Sequence, residues 1–506
     1  MTRLDNPVIL VVMDGFGLND DPERSAIAAA DTPVIDRVLD EYPSTSMYAH
    51  GSHVGLPEDA LGGSEAGHMQ LGGGRKILQM PKRIDQAIES GEFFEKDAFV
   101  DAMQHVKQHG STLHLMGLCS DQAVHSKISH LYALLELADR HDVEEVRIHM
   151  FLDGRDTAPQ VAERYIQELQ QRLEELPGEI ATVSGRYYAM DRDRNWERTE
   201  KAYRAIVHGK GRTAGDAMEA LHDAYERDET DEFVTPTVLD QQGVEDGDAV
   251  VFFNFRADRA RQLTRCFVDD GFEKFPTQEV QDLLFVSMAE YSDALDTPVA
   301  FEEELVKNSV GGVLAARGCR QYRVAESEKE AHVTYFFSGR EEKEFGGERR
   351  KIFASPDVPT YDETPGMRAE AITRKAVAVM EEKEHDFVLV NLSNCDMVGH
   401  TGDFDAAVEA TEVVDDCVER IHDACREHGY TLFLTADHGN ADEMRDQEGQ
   451  PLTAHTKNRV PFVLVSDRFE VEFHDEPELF RVGSAILHLN GEELPEEWAE
   501  PLFSVR

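Results

Sequence analysis

Three stretches of the chain share one shape: a short apolar run that stops at acidic residues, histidine or glycine. Pro7–Met13 leads into Asp14-Gly-Phe-Gly17. Phe387–Leu392 leads into Ser-Asn-Cys-Asp396, and Thr431–Ala436 into Asp437-His438-Gly-Asn. Continuous apolar runs of this length predict strands buried on both faces of a parallel sheet. Pro461–Val465 predicts a fourth strand of the same kind, and Phe404–Glu427 carries apolar residues at helical spacing. The two ends of the chain are therefore expected to share one sheet. Each polar cluster then falls at the carboxyl end of a strand, where open α/β sheets hold their ligands.

The middle of the chain repeats the pattern. Thr112–Gly117, Val146–Leu152, Ile180–Val183, Ala249–Phe253 and Leu283–Ser287 read as buried strands, alternating with helical segments such as Leu131–Arg140 and Gln160–Leu176. That alternation predicts a second α/β domain with a mainly parallel sheet flanked by helices. Candidate linkers lie near Lys76–Arg83 and Thr297–Gly312. The expected organisation is a discontinuous domain of residues 1–78 and 305–506, with 79–304 inserted into it.

Length and composition fit this picture. The chain has 506 residues, 41% of them hydrophobic, which is enough for more than one core. The apolar run near the N-terminus is too short to span a bilayer or to act as a signal peptide, so the expected location is the cytoplasm. Charge changes the picture most. One hundred acidic residues stand against 51 basic, for a net charge of −49. Nucleic acid and anionic membranes are poor partners for such a surface. The acid is spread along the whole chain, as in Glu302–Glu304 and Glu381–Asp386, so it is not a disordered tail. This points to a halophilic setting, where screening over roughly 3 Å at 1 M salt blunts self-repulsion. Six cysteines without a C-x-x-C pair read as reduced thiols.

The candidate chemistry is split between the ends. Asp14 and Ser64 lie near the N-terminus; Asp396, His400, Asp437, His438 and His455 lie in the last quarter. Asp396 and His400, four residues apart, can face one cation, with His455 completing the set. Asp437 and His438 with Asp14 can hold a second. Mixed carboxylate and imidazole donors suit Mn²⁺ or Zn²⁺. Ser64, in Gly62-Gly-Ser-Glu-Ala-Gly67, becomes a nucleophile beside a cation. In the insert, Arg155, Arg186, Arg192, Arg256 and Arg259 follow strand ends. Guanidinium forks bind phosphate and carboxylate bidentately, and His125 and Asp156 are the nearby groups able to move protons.

These residues resemble a known family along nearly the whole chain. Met13-Asp-Gly-Phe-Gly17, Gly63-Ser-Glu-Ala-Gly-His68, Val124-His-Ser126, Phe151-Leu-Asp-Gly-Arg-Asp-Thr157, Gly185–Asp193, Asn254-Phe-Arg-Ala-Asp-Arg259, Asp396-Met-Val-Gly-His400 and Ala436–Asp442 occur in order. The chain looks like a cofactor-independent phosphoglycerate mutase of the alkaline phosphatase superfamily. The resemblance implies one Mn²⁺ on Asp396, His400 and His455 and another on Asp14, Ser64, Asp437 and His438. It implies a phosphoserine at Ser64 during interconversion of 3-phosphoglycerate and 2-phosphoglycerate in glycolysis and gluconeogenesis, without 2,3-bisphosphoglycerate. His125, Arg155, Asp156, Arg186, Arg192, Arg256 and Arg259 would hold the glycerate, with Asp156 moving protons. Lys329, in Glu326-Ser-Glu-Lys-Glu-Ala-His332, matches a lysine that contacts the phosphoryl group. The family also implies a monomer. The chain departs from the common pattern at Gly63, Gln122-Ala123, Lys127 and Ser338-Gly-Arg340, none of them a proposed ligand. Another superfamily phosphomutase or phosphatase would share the metal-type ends but lack the insert motifs. A silent phosphoglycerate-binding protein would have no need of Ser64.

Overall fold

Strand β1 (Val8–Met13) is buried along its whole length, as six consecutive apolar residues require. In the computed structural model, which describes residues 4–506, the chain divides into two compact units. Met1–Gln79 and Glu304–Arg506 form one, and Met80–Glu303 the other. The strands that follow β1 are β2 (Ser44–Met47), β3 (Leu113–Leu118), β4 (Val146–Leu152), β5 (Glu179–Gly185), β6 (Arg212–Thr213), β7 (Thr237–Val238) and β8 (Ala249–Phe252). After them come β9 (Leu284–Ala289), β10 (Val299–Phe301), β11 (Gln321–Glu326), β12 (Glu348–Phe353), β13 (Phe387–Leu392), β14 (Thr431–Thr435) and β15 (Val460–Val465).

The first unit is built on a sheet in the order β12-β11-β13-β1-β14-β15-β2. From β12 to β14 every pairing is parallel, and β14·β15 and β15·β2 are antiparallel. The run Pro461–Val465 is thus a strand, but one that points against its neighbour. An apolar run records burial and carries no sense of direction. The helix Phe404–His428 packs its apolar stripe, including Val414, Val418 and Ile421, against the same core.

Two strands of this sheet, β11 and β12, carry no apolar run. Gln321-Tyr-Arg-Val-Ala-Glu326 is buried throughout, yet it holds Arg323 and Glu326. Arg323 is fully buried and faces Glu348 of β12 at 3.2 Å. It also donates to the carbonyls of Val333 and Thr334 and to Ser338 Oγ. A buried charge survives only when paired and hydrogen-bonded in this way.

The second unit carries a sheet in the order β10-β9-β8-β3-β4-β5-β7-β6, parallel except for β5·β7. Helices such as Ile128–Arg140, Ala162–Arg172 and Ala257–Val268 bury their apolar sides in its two core clusters. Both units are α/β structures, and in both the central parallel strands send their carboxyl ends to one edge.

Candidate active site

In the first unit, the residues at that edge converge. Asp14 directly follows β1, Asp396 lies in the short helix Asn394–Gly399 after β13, and Asp437-His438 follow β14. Ser64 opens the helix Ser64–Gly73, whose close approach to β14 requires Gly67. A Cβ there would lie 2.5 Å from the Asp437 carbonyl oxygen. Lys329 lies on the 3-10 turn after β11. All of these residues are buried.

The serine hydroxyl sits at the centre. Ser64 Oγ lies 3.2 Å from Asp14 Oδ1 and 2.9 Å from His438 Nε2, and Lys329 Nζ donates to it at 2.8 Å. The same ammonium donates to Asp14 Oδ1 at 2.7 Å and to Asp396 Oδ2 at 2.6 Å. Burial pushes the Asp14 carboxyl up, but Lys329 and His438 outweigh it and hold it far below the ordinary range. Asp396 is depressed in the same way: against the penalty of burial, Lys329, His400 and His455 favour its charged form. Burial also opposes charge on His438, but Asp437, Asp14 and Asp396 reverse that and raise it to about 10. On His400 the hydrogen bond to Asp396 comes first and raises its pKa against burial.

These groups form two clusters of metal-type donors, Asp396–His438–His455 and Asp14–Asp437–His438, with His438 common to both. His400 joins the first cluster. His400 Nε2 and His455 Nε2 each lie 3.3 Å from Asp396 Oδ1 and 3.1 Å from each other. Their other ring nitrogens face carbonyl oxygens, His400 Nδ1 at Thr453 and His455 Nδ1 at Gly62. A carbonyl only accepts, so each Nδ1 carries a proton, which leaves each Nε2 as the nitrogen available to a cation. Two imidazole nitrogens and a carboxylate oxygen facing one point fit a cation. The donor chemistry of both clusters thus fits a divalent metal.

In the second unit the predicted residues follow the strand ends β3 (His125), β4 (Arg155, Asp156), β5 (Arg186, Arg192) and β8 (Arg256, Arg259). The cluster reads from sequence as an anion site, and in the structure most of its arginines meet carboxylates of the same unit. Arg186 is buried between Asp153, at 2.6 Å, and Asp156. Arg192 and Arg256 both reach Asp258, at 2.8 Å and 3.6 Å, and His125 Nδ1 lies 3.4 Å from it. Arg155 faces Glu232 at 3.5 Å. Arg259 donates to the Met190 carbonyl; burial and then Arg186, Arg192 and Arg155 lower its pKa, the mark of surplus positive charge. Burial also lowers the pKa of His125, with Asp258 acting against it.

Five residues at these sites escaped sequence reasoning. Asp153 and Asp258 lie within the quoted motifs, Asp153 pairing with Arg186 and Asp258 with Arg192 and Arg256. Asn440 donates to Asp396 Oδ1 at 3.0 Å. His68 and Asn391 stand behind Asp14 and Asp437. Asn391 could have been found, since it interrupts the apolar run of β13 with a buried amide.

Residues 84–293 match the family model described as BPG-independent PGAM N-terminus, and residues 317–481 the one described as type I phosphodiesterase / nucleotide pyrophosphatase. The 2,3-bisphosphoglycerate-independent phosphoglycerate mutase of Moorella thermoacetica is 48% identical over 494 residues, covering 96% of each chain. That of Thermomicrobium roseum is 49% identical over 510 residues, covering 98% of this chain and 97% of the other. A crystal structure of Leishmania mexicana phosphoglycerate mutase at low cobalt concentration matches with a TM-score of 0.73 at 32% identity, covering 100% of this chain and 98% of that one. With identity of this order sustained over both units, the chain belongs to the 2,3-bisphosphoglycerate-independent phosphoglycerate mutases.

Proposed function

We propose that this isomerase, which interconverts 3-phosphoglycerate and 2-phosphoglycerate, works through a phosphoserine at Ser64 and two Mn²⁺ ions. One ion would be held by Asp396, His400 and His455, the other by Asp14, Ser64, Asp437 and His438. When bound, the ions supply positive charge that favours the Ser64 alkoxide and neutralises the phosphoryl group. The observation that carries the reading is the placement of Ser64 Oγ, with Lys329 and His438 both within 2.9 Å of it.

The chain's own residues would act as follows. Ser64 Oγ forms a bond to phosphorus as the bond from phosphorus to the 3-oxygen breaks, and that oxygen takes up a proton. Lys329 steadies the negative charge on the serine and phosphoryl oxygens, while His438 would hold its ion beside them. Arg155, Arg186, Arg192, Arg256 and Arg259 with His125 hold the glycerate carboxylate and hydroxyls. Asp156, whose carboxylate already meets Arg186, takes the proton from the 2-hydroxyl. The 2-oxygen then attacks the phosphoserine, and Ser64 Oγ leaves. Over the cycle one proton passes from the 2-oxygen to the 3-oxygen. Keeping glycerate bound between the two transfers, and water away, is what separates a mutase from a phosphatase. We assign this holding role to the insert, residues 79–304.

A coupled assay with Mn²⁺ and without 2,3-bisphosphoglycerate tests the reading. The full chain is expected to turn over, and Ser64→Ala to lose at least about 10³-fold in kcat while still binding two ions. Turnover that survives in Ser64→Ala removes the phosphoserine from the mechanism.

We further read the chain as a cytoplasmic monomer working at high ionic strength. Its net charge of −49 supports the salt, and six free, buried cysteines support a reducing compartment. Among the described residues no helix is long and apolar enough to cross a membrane.

A further inference from the structure

His68 and Asn391 take no part in the chemistry proposed above, yet both are fully buried directly behind one donor cluster. Asn391 lies near the carboxyl end of β13, level with Val12 of β1. Its amide Nδ2 donates to Asp14 Oδ2 at 2.7 Å and lies 3.1 Å from His68 Nε2. His68 lies one turn into the Ser64 helix. Its Nδ1 lies 3.0 Å from the Ser64 carbonyl oxygen and 3.1 Å from Asp437 Oδ2.

The atom types fix the direction of each bond. Asp14 accepts only, so the atom facing it is the Asn391 amide nitrogen, which also faces His68 Nε2. That ring nitrogen therefore accepts. Nδ1 faces a carbonyl and a carboxylate, which both accept, so it carries the proton. Asn391 thus donates both to Asp14 and to His68, and His68 donates to the backbone of the nucleophile with Asp437 Oδ2 in ion-pair reach. Gly67 lets this helix lie against Asp437, and the His332 ring covers His68 with centroids 5.6 Å apart.

We propose that His68 and Asn391 are positioning residues for a single ion, the one on Asp14, Asp437 and His438. They aim both carboxylates and register Ser64 to the same frame. The cluster Asp396–His400–His455 has separate supports, the Thr453 and Gly62 carbonyls and Asn440. The outer supports of the two clusters are therefore distinct, with His438 the donor they share, and removing His68 is expected to loosen one ion. Outer partners of this kind typically contribute about 10- to 100-fold in metal affinity.

The inference rests on the two-cluster metal reading and is tested by Mn²⁺ titration of the full chain in a calorimeter. In a His455→Ala chain, one ion is expected to titrate at the Asp14 cluster. Adding His68→Ala or Asn391→Leu should weaken it about 10- to 100-fold. His68→Asn, which restores a donor near the Nδ1 position, should recover part of that loss. In an Asp437→Asn chain, where the ion at Asp396 is left, adding His68→Ala should change its affinity less than about twofold. Equal weakening at both ions, or none at the Asp14 cluster, overturns the inference and leaves the metal reading standing. A His455→Ala chain that binds no ion overturns the metal reading and this inference with it.

Discussion

His149 shows how far a single ring can bind stability to pH. It lies on β4, fully enclosed, with Nδ1 3.0 Å from Thr182 Oγ1 and Nε2 2.9 Å from His114 Nδ1. His114 Nε2 in turn meets Asp248 at 3.0 Å. Burial holds the pKa of His149 well below 6.5, helped by His114 and Arg147. The folded chain thus refuses a proton that the unfolded chain accepts. Above about pH 6.5 neither state is protonated at this ring, and stability is undiminished. As pH falls below that value the unfolded state gains the proton, and stability drains at up to about 1.4 kcal/mol per pH unit. Urea midpoints for the insert transition are therefore expected to fall from pH 7 to pH 5. His149→Gln, which keeps polar atoms in place without titrating, should fall less steeply. Parallel slopes for the two chains would show that this ring does not set the acid limb.

At the scale of the element, what sequence disclosed depended on what each strand carries. The strands β1, β13 and β14 are legible because they are apolar throughout or nearly so, and the ligands that follow them are legible because acid and histidine stand out after such runs. The strands β11 and β12 are not, because β11 is buried yet carries charge and β12 is an edge strand with only Glu348 buried. Arg323, Glu326, Glu348 and Arg350 break any apolar pattern, and only the folded sheet shows that Arg323 and Glu348 answer each other. His68 escaped for a related reason: one polar residue inside a helix has no pattern of its own, whereas Asn391 marks itself by interrupting an apolar run. The Arg323–Glu348 pair can be tested directly. Glu348→Ala strands a buried guanidinium and should cost about 3–5 kcal/mol, seen as a lower calorimetric midpoint for the first unit. Replacing both residues with methionine should recover most of it, since a buried pair is often no better than a well-packed apolar one. A loss below about 1 kcal/mol for Glu348→Ala would mean that the carbonyls of Val333 and Thr334 hold Arg323 unaided.

For the whole molecule, the dominant fact is a net charge of −49 on a chain that still folds into two compact units, each with its own core. The strain is visible locally. Glu290 has its pKa raised, first by partial burial and then by Asp293, Glu303 and Glu302 crowding it. Such repulsion between exposed carboxylates reaches over about 10 Å at 0.1 M salt and about 3 Å at 1 M. The buried charges of Lys329, Asp14 and Asp396 are enclosed by protein and are screened far less. Salt should therefore relieve the surface while sparing the active site. Raising KCl from 0.1 M to 1 M is expected to raise the unfolding temperature by several degrees, with most of the gain below 1 M, where the screening length changes most. Salt also strengthens apolar burial, so a second chain is needed to separate the two effects. Substituting Glu302, Glu381, Glu382 and Glu384, all exposed, with glutamine removes charge without touching either core. If repulsion is the cause, this variant starts higher at 0.1 M and gains less from KCl. If both chains gain equally, salt is acting on apolar burial, and repulsion across the acidic surface is not what limits stability.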